Sequence, residues 1–212
     1  WRPVVNKSNN LFLGELIFIK KLNNLNLKSC IDIGANTGEY SFEILNNTKL
    51  NCIAFEPIKE CILSLGRLKK KFRNRLKIYN IAISNIKSKK NLYYGDNNYL
   101  LSSFEKKINH ITKVKNNNSK KIKCKTDTLD NLHKILKLRS VDLIKIDTEG
   151  HEKKVLLGAK KFLLLTNAKI IQIEFNWHHL FMKNSIFEFS QILKNYKVFQ
   201  LDLYNGIPRE IN

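Results

Sequence analysis

A chain of 212 residues is the size of one domain, and its 43% hydrophobic content can bury a substantial core. No apolar run approaches the roughly 18 residues that a spanning helix needs. The formal charge of +20 raises nucleic acid or an anionic surface as a partner. However, only six of the 38 basic residues are arginines, the side chain suited to forked phosphate recognition.

Heavy use of Lys, Asn and Ile beside 3 Pro and 8 Gly makes the charge read as compositional. The densest basic stretch, Lys106 to Lys125, has eight lysines and no acid, which keeps an acidic substrate or RNA open. Cys30, Cys52, Cys61 and Cys124 show neither a C-x-x-C spacing nor the density of a disulfide scaffold, so reduced, buried thiols and a cytoplasmic setting are expected. The chain opens on Trp1 rather than methionine, which suggests residues upstream.

In chain order, apolar residues at helical spacing (Leu13, Leu16, Ile17) predict an N-terminal helix over Asn9–Leu27, capped by Asn10. Strand Cys30–Ile33, helix Glu39–Asn46, strand Asn51–Phe55, helix Lys59–Lys70 and strand Leu76–Ile81 follow. This βαβαβ order predicts a parallel sheet with right-handed crossovers. From Ser84 to Lys125 the periodicity fades into Asn and Lys, and an irregular insert on the substrate side is expected, ending in a short strand at Ile122–Lys125. Helix Leu129–Leu138, strand Val141–Asp147, helix His151–Leu165, strand Lys169–Phe175, helix Ile186–Lys194 and strand Val198–Leu203 complete one domain. The fold class is α/β: a mostly parallel, Rossmann-like sheet with helices on both faces.

Residues Ile31 to Ser41 read as a strand running into a loop that opens a helix. Gly34 and Gly38 allow close backbone approach, and free N–H groups at the helix start favour an anionic group. By themselves the two glycines fit a tight strand-to-helix turn equally well. Glu56 ends the next strand, 22 residues after Gly34, where a carboxylate can accept hydrogen bonds from both hydroxyls of a ribose. The spacing is G-x-x-x-G rather than G-x-G-x-x-G, which argues against NAD or FAD. A ligand with adenosine at one end, an amino acid at the other and no phosphate fits better.

The run Ile31-Asp32-Ile33-Gly34-Ala35-Asn36-Thr37-Gly38 is followed by Phe55-Glu56-Pro57, Asn80-Ile81-Ala82-Ile83-Ser84, Thr128-Leu129-Asp130, Ile144 to Glu152 (IKIDTEGHE) and Ile173-Glu174-Phe175. In these motifs and their order, from about Cys30 to Phe175, the chain resembles the FkbM family of methyltransferases. The resemblance implies a Rossmann-like fold of the class I methyltransferase type, S-adenosylmethionine as donor, and O-methylation of a hydroxyl on a sugar, glycan or related small molecule. It also implies that Asp32, Gly34, Ala35, Asn36, Gly38 and Ser41 line the methionine end, with Glu56 and Pro57 at the ribose, Ala82 and Ile83 at the adenine, and Asp147 near the methyl group. Ser102 and Ser103 match a serine pair that the family carries near the active centre, although Phe104 follows where an aliphatic residue is more usual.

Methyl transfer to an unactivated hydroxyl needs the acceptor positioned and its proton removed. Four ionisable groups follow one strand: Asp147, Glu149, His151 and Glu152. His151 is the first candidate for the base, and Thr148 to His151 as a helix cap is the structural alternative. Glu149 and Glu174 are further candidates. His178 and His179 could reach the acceptor from the next loop. No metal site is expected, although Asp147, Glu174 and Asn176 form an oxygen-donor set that a divalent cation could use. An RNA-directed methyltransferase and a non-catalytic nucleotide-binding module stand as alternatives.

Overall fold

The computed structural model describes residues 13–95, 98–105 and 119–211. Its core is a sheet of β1 (Ser29–Ile33), β2 (Asn51–Phe55), β3 (Leu76–Tyr79), β8 (Leu143–Ile146) and β9 (Ile170–Ile173), in the order β3-β2-β1-β8-β9. Every pairing in it is parallel. The predicted βαβαβ unit is therefore present, and Val141–Asp147 and Lys169–Phe175 are shorter than expected but in place.

Alternate residues of β1 divide the core in two, as the two-residue period of a strand requires. Cys30 packs with Ile19 of α1 (Leu13–Lys21), Tyr40, Ile44 and Leu45 of α2 (Glu39–Asn47), and Leu65 of α3 (Lys59–Phe72). Ile31 and Ile33 face α4 (Leu129–Ile135), α5 (Glu152–Leu157) and α6 (Lys160–Thr166) through Leu132, Val155, Leu156 and Phe162. Helices thus cover both faces. All four cysteines are free and buried.

The structure departs from expectation in five places. The predicted N-terminal helix is shorter: α1 gives way to a 3-10 turn at Leu22–Asn24, and residues 9–12 lie outside the described region. The helix expected over His151–Leu165 breaks at Gly158. There Asp130 N–H donates to the Gly158 carbonyl at 3.0 Å, the Asp130 carboxylate accepts from Phe162 N at 2.7 Å, and a Cβ would lie 2.0 Å from the Ser84 carbonyl. The third strand stops at Tyr79, and Ala82–Ile83 (β4) belongs to another sheet.

That second sheet corrects the irregular insert expected over 84–125. β5 (Ser88–Gly95), β6 (Asn98–Ser103) and β7 (Ser119–Asp127) join β4 in the order β4-β7-β5-β6, so the short strand expected at Ile122–Lys125 is a nine-residue one. Leu92, Tyr94 and Cys124 are buried while Lys89, Asn91, Lys121, Lys123 and Lys125 face solvent, a two-residue period disguised by loop-forming residue types. Finally, Val198–Leu203 does not extend the parallel sheet. Phe199–Leu201 (β10) pairs antiparallel with Pro208–Glu210 (β11), across a turn in which the Asp202 carboxylate accepts from Tyr204 and Asn205 N–H. This hairpin rests on α1, where Gly14 N donates to the Leu203 carbonyl at 2.7 Å. Two short helices, α7 (His178–Phe181) and α8 (Ile186–Ile192), lie between β9 and the hairpin.

Candidate active site

A cavity of about 2090 Å³ opens at the carboxyl ends of β1, β2, β8 and β9 and continues along the β9 edge. At its near end the β1 ladder runs on into the glycine loop: Gly34 N and Ala35 N donate to the Phe55 carbonyl at 3.0 and 3.2 Å. Gly34 has φ +83°, and a Cβ there would lie 1.8 Å from the Asp147 carbonyl, so only glycine allows β1 and β8 to approach this closely. Gly38, at φ +96°, opens α2 and lies outside the cavity. Ser41 is also outside. Its hydroxyl donates to Asp32 Oδ2 at 2.6 Å, which fixes a carboxyl that burial pushes up to about 6.

Glu56 is buried, and each carboxylate oxygen accepts a backbone N–H at 2.8 Å, Oε2 from Asn36 and Oε1 from Ile58. Burial outweighs those bonds and pushes the carboxyl up to about 7. Asn80 donates to the Glu56 and Pro57 carbonyls at 2.9 Å, fixing the turn in which both sit. Ala82, Ile83, Leu92 and Phe104 supply apolar lining on this side. A carboxylate oxygen has two lone pairs, so Glu56 retains acceptor capacity for a ribose. The fit to an adenosyl ligand therefore rests on a preorganised carboxylate beside apolar walls and a loop too tight for a Cβ. Of the residues expected at the cofactor, Asp32, Gly34, Ala35, Asn36, Glu56, Pro57, Ala82, Ile83 and Asp147 line the cavity, and Gly38 and Ser41 act from behind it.

The far end is acidic: Asp147, Glu149 and Glu174 line it with Asn176. Burial, then the charges of Asp147 and Glu152, push Glu149 up to about 9. Glu174 is raised as well, by burial and then by Asp147. Glu149 and Gly150 both hold left-handed backbone, at φ +52° and +95°. Glu152 builds this turn, because Oε1 accepts from Thr148 N at 2.7 Å, Thr148 Oγ1 at 3.0 Å and Gly150 N at 3.3 Å. Ser103 donates to the Glu149 carbonyl at 2.9 Å from β6, whereas Ser102 lines the cavity.

His151 does not line the cavity. Its Nε2 is 2.9 Å from Ser84 Oγ, its ring lies against Phe104, and burial followed by the charges of Lys154 and Lys90 lowers its pKa to about 3. His151 stands at the start of α5 without a side-chain cap bond, and its ring is held by Ser84 and Phe104 away from the cavity. His178 and His179 are also buried behind the cavity, with His178 Nδ1 2.8 Å from Glu149 Oε2 and His179 Nε2 3.1 Å from Glu152 Oε2. The oxygen-donor set is not assembled for a cation: Asn176 Oδ1 accepts from His178 N and its Nδ2 donates to Glu174. Among the described residues, no cluster of three or more His, Cys, Asp or Glu side chains has metal-holding geometry.

Sequence reasoning missed Lys145. It is buried inside β8, with Nζ 3.4 Å from both Glu15 Oε1 and Asp147 Oδ2. Burial works against its charge, but Asp147, Glu15 and Glu174 outweigh burial and raise its pKa. Gln172 links Glu15 to the Tyr40 hydroxyl through bonds of 2.6 and 2.7 Å. A lysine in the middle of a buried strand was the available signal.

A parallel sheet in this order, covered on both faces and opening onto this cleft, defines a Rossmann-like methyltransferase fold. Similar solved structures include methyltransferase FkbM from Methylobacillus flagellatus, at TM-score 0.52 and 15% identity, covering 86% of this chain and 43% of that one. Precorrin-6y C5,15-methyltransferase from Geobacter metallireducens aligns at TM-score 0.46 and 11% identity, covering 93% and 82%. The chain thus spans less than half the length of the FkbM structure. No curated protein matches it significantly. A family model, the methyltransferase FkbM domain, matches residues 32–198, and the chain belongs to that family. Among the described residues no helix is long and apolar enough to cross a membrane.

Proposed function

We propose that this chain is an S-adenosylmethionine-dependent O-methyltransferase that acts on a hydroxyl of a sugar, glycan or related small molecule. One observation carries the reading. A single cavity joins an adenosyl-sized cradle (Asp32 to Asn36, Glu56, Ala82, Ile83) to an acidic end (Asp147, Glu149, Glu174) that is suited to handling a hydroxyl proton. The bound donor would supply an electrophilic methyl group on a sulfonium.

Glu56 would hold the ribose hydroxyls, and the backbone around Gly34 would hold the amino-acid end. Glu149 is assigned the base role in place of His151, because it lines the cavity while His151 does not. Its carboxyl is held protonated near neutrality, and a cationic ligand in the cavity favours its ionised form. In that form Glu149 would take the acceptor hydroxyl's proton, while Glu56 and the Gly34 backbone would hold the donor that supplies the methyl group to the acceptor oxygen. Titration calorimetry with S-adenosylmethionine tests the cradle: Glu56→Ala is expected to weaken binding on the order of a hundredfold, and unchanged affinity would remove the ribose assignment.

An RNA acceptor is the second reading, supported by Lys89, Lys121, Lys123 and Lys125 on one exposed face of the β5–β7 pair. That face lies on the opposite side of the sheet from Leu92, which lines the cavity, so the lysines do not ring the site. Tritiated methyl transfer to fractionated extract separates the readings. Label in the carbohydrate and small-molecule fraction supports the first, and label in RNA alone supports the second.

A further inference from the structure

The acidic end contains two histidine–carboxylate pairs of different construction. In one, Glu152 is already committed through Oε1 to the Thr148–Gly150 turn, and His179 stands behind it. In the other, Glu149 lines the cavity and His178 approaches it from the buried side at 2.8 Å, off the axis of an ideal hydrogen bond. The second pair is the one that reaches the reaction space.

The surroundings of His178 suit an orienting role. Its backbone N–H donates to Asn176 Oδ1 at 3.0 Å, and Asn176 Nδ2 donates to Glu174 at 3.1 Å, so α7 is tied to the same cavity wall. The Trp177 ring lies 3.8 Å from the His178 ring, centroid to centroid. On the other side, the Ser103 hydroxyl holds the Glu149 carbonyl while Glu149 keeps its left-handed backbone. The main chain of Glu149 is therefore fixed from β6. Its side chain, which has freely rotating bonds, is met at Oε2 only by the ring of His178 among the described residues. A carboxylate has to be aimed to within tenths of an ångström to take a proton in line.

We propose that His178 is a positioning residue: its Nδ1–H holds the Glu149 carboxylate in the orientation that serves the acceptor hydroxyl, and the ring itself never touches the acceptor. The proposal rests on the base role assigned to Glu149 above. With Glu149 ionised, it gives the wild-type ring one defined tautomer, Nδ1–H, set by the oxygen it faces.

Long-range proton–nitrogen correlation spectra of ¹⁵N-histidine-labelled protein test it directly. With S-adenosylmethionine bound, which favours ionised Glu149, the Nδ1–H form is expected for His178 in the wild type and is lost in Glu149→Ala. An Nε2–H ring in the liganded wild type overturns the proposal, a result available even if no His178 variant folds. Tritiated methyl transfer gives the second arm. His178→Leu is expected to slow transfer on the order of tenfold to a hundredfold with S-adenosylmethionine affinity within about twofold. His178→Asn, whose Nδ2 can occupy the place of Nδ1, should recover most of the rate. Equal rates in the Leu and Asn variants overturn the proposal. Full transfer by Glu149→Gln would instead remove the base reading, and with it the role, while the Nδ1–H signature would still show the contact.

Discussion

The two ends of the cavity are held by different means. At the cradle, Glu56 and the glycine loop are fixed by backbone groups, the N–H of Asn36 and Ile58 and the carbonyl of Phe55. At the acidic end, side chains hold side chains across four elements: Glu149 with His178, Glu152 with Thr148 and His179, Asp147 with Lys145. A backbone-built site tolerates changes around it, because the main chain is fixed by the sheet. A site built from side chains fails one contact at a time, and its failures should appear in rate before they appear in folding.

The sharpest test of that contrast is Glu149→Gln. Methyl transfer should fall on the order of a hundredfold to ten thousandfold while S-adenosylmethionine affinity stays within about threefold, as calorimetry can check. Gly34→Ala attacks the point where the two ends meet. A Cβ at 1.8 Å from the Asp147 carbonyl, on a backbone at φ +83°, should cost on the order of 3 kcal/mol. A melting curve should drop by roughly 6–12 °C. A drop of less than about 2 °C would mean that β1 and β8 are not locked together there.

The acid–base behaviour of the cradle gives a third test. Glu56 ionises at about 7 in the unliganded fold and near 4.5 when unfolded, so the folded state binds more protons across that window. Stability from this group is therefore lost as pH rises from about 4.5 to 7, on the order of 3 kcal/mol in total. Glu56→Gln lacks the titration, so its melting temperature should gain on the wild type between pH 5 and pH 8. A constant difference across that range would contradict the burial argument. The smallest effect is expected at His151. His151→Phe removes the bond to Ser84 but keeps an aromatic ring against Phe104, which lines the cavity, and transfer should stay within about threefold of wild type, with only a modest loss of stability.

How far the sequence was legible follows the same contrast. Asp32 to Asn36 and Glu56 are local signals, a strand end, a turn and a spacing, and they line the cavity, while Gly38 opens α2 behind it. The acidic end depends on contacts between residues far apart in sequence, such as His178 with Glu149 and Ser103 with the Glu149 carbonyl. No periodicity carries such pairings. His151 stood out because it sits inside the motif, yet its ring turns away towards Ser84. The second sheet was hidden for another reason. Its solvent face is built of lysine and asparagine, types that mark loops elsewhere, and only Leu92, Tyr94, Ile122 and Cys124 betray the alternation.

Lys145 draws one of its two ion-pair partners, Glu15, from α1, upstream of the family match that begins at residue 32. The first helix is therefore an electrostatic counterweight as well as a cover for the sheet. Glu15→Ala would leave a buried ammonium with Asp147 as its only ion-pair partner among the described residues. That would draw the carboxylate of Asp147 inward, away from any ligand. Glu15 thus contributes to the site from outside the residues that the family model matches.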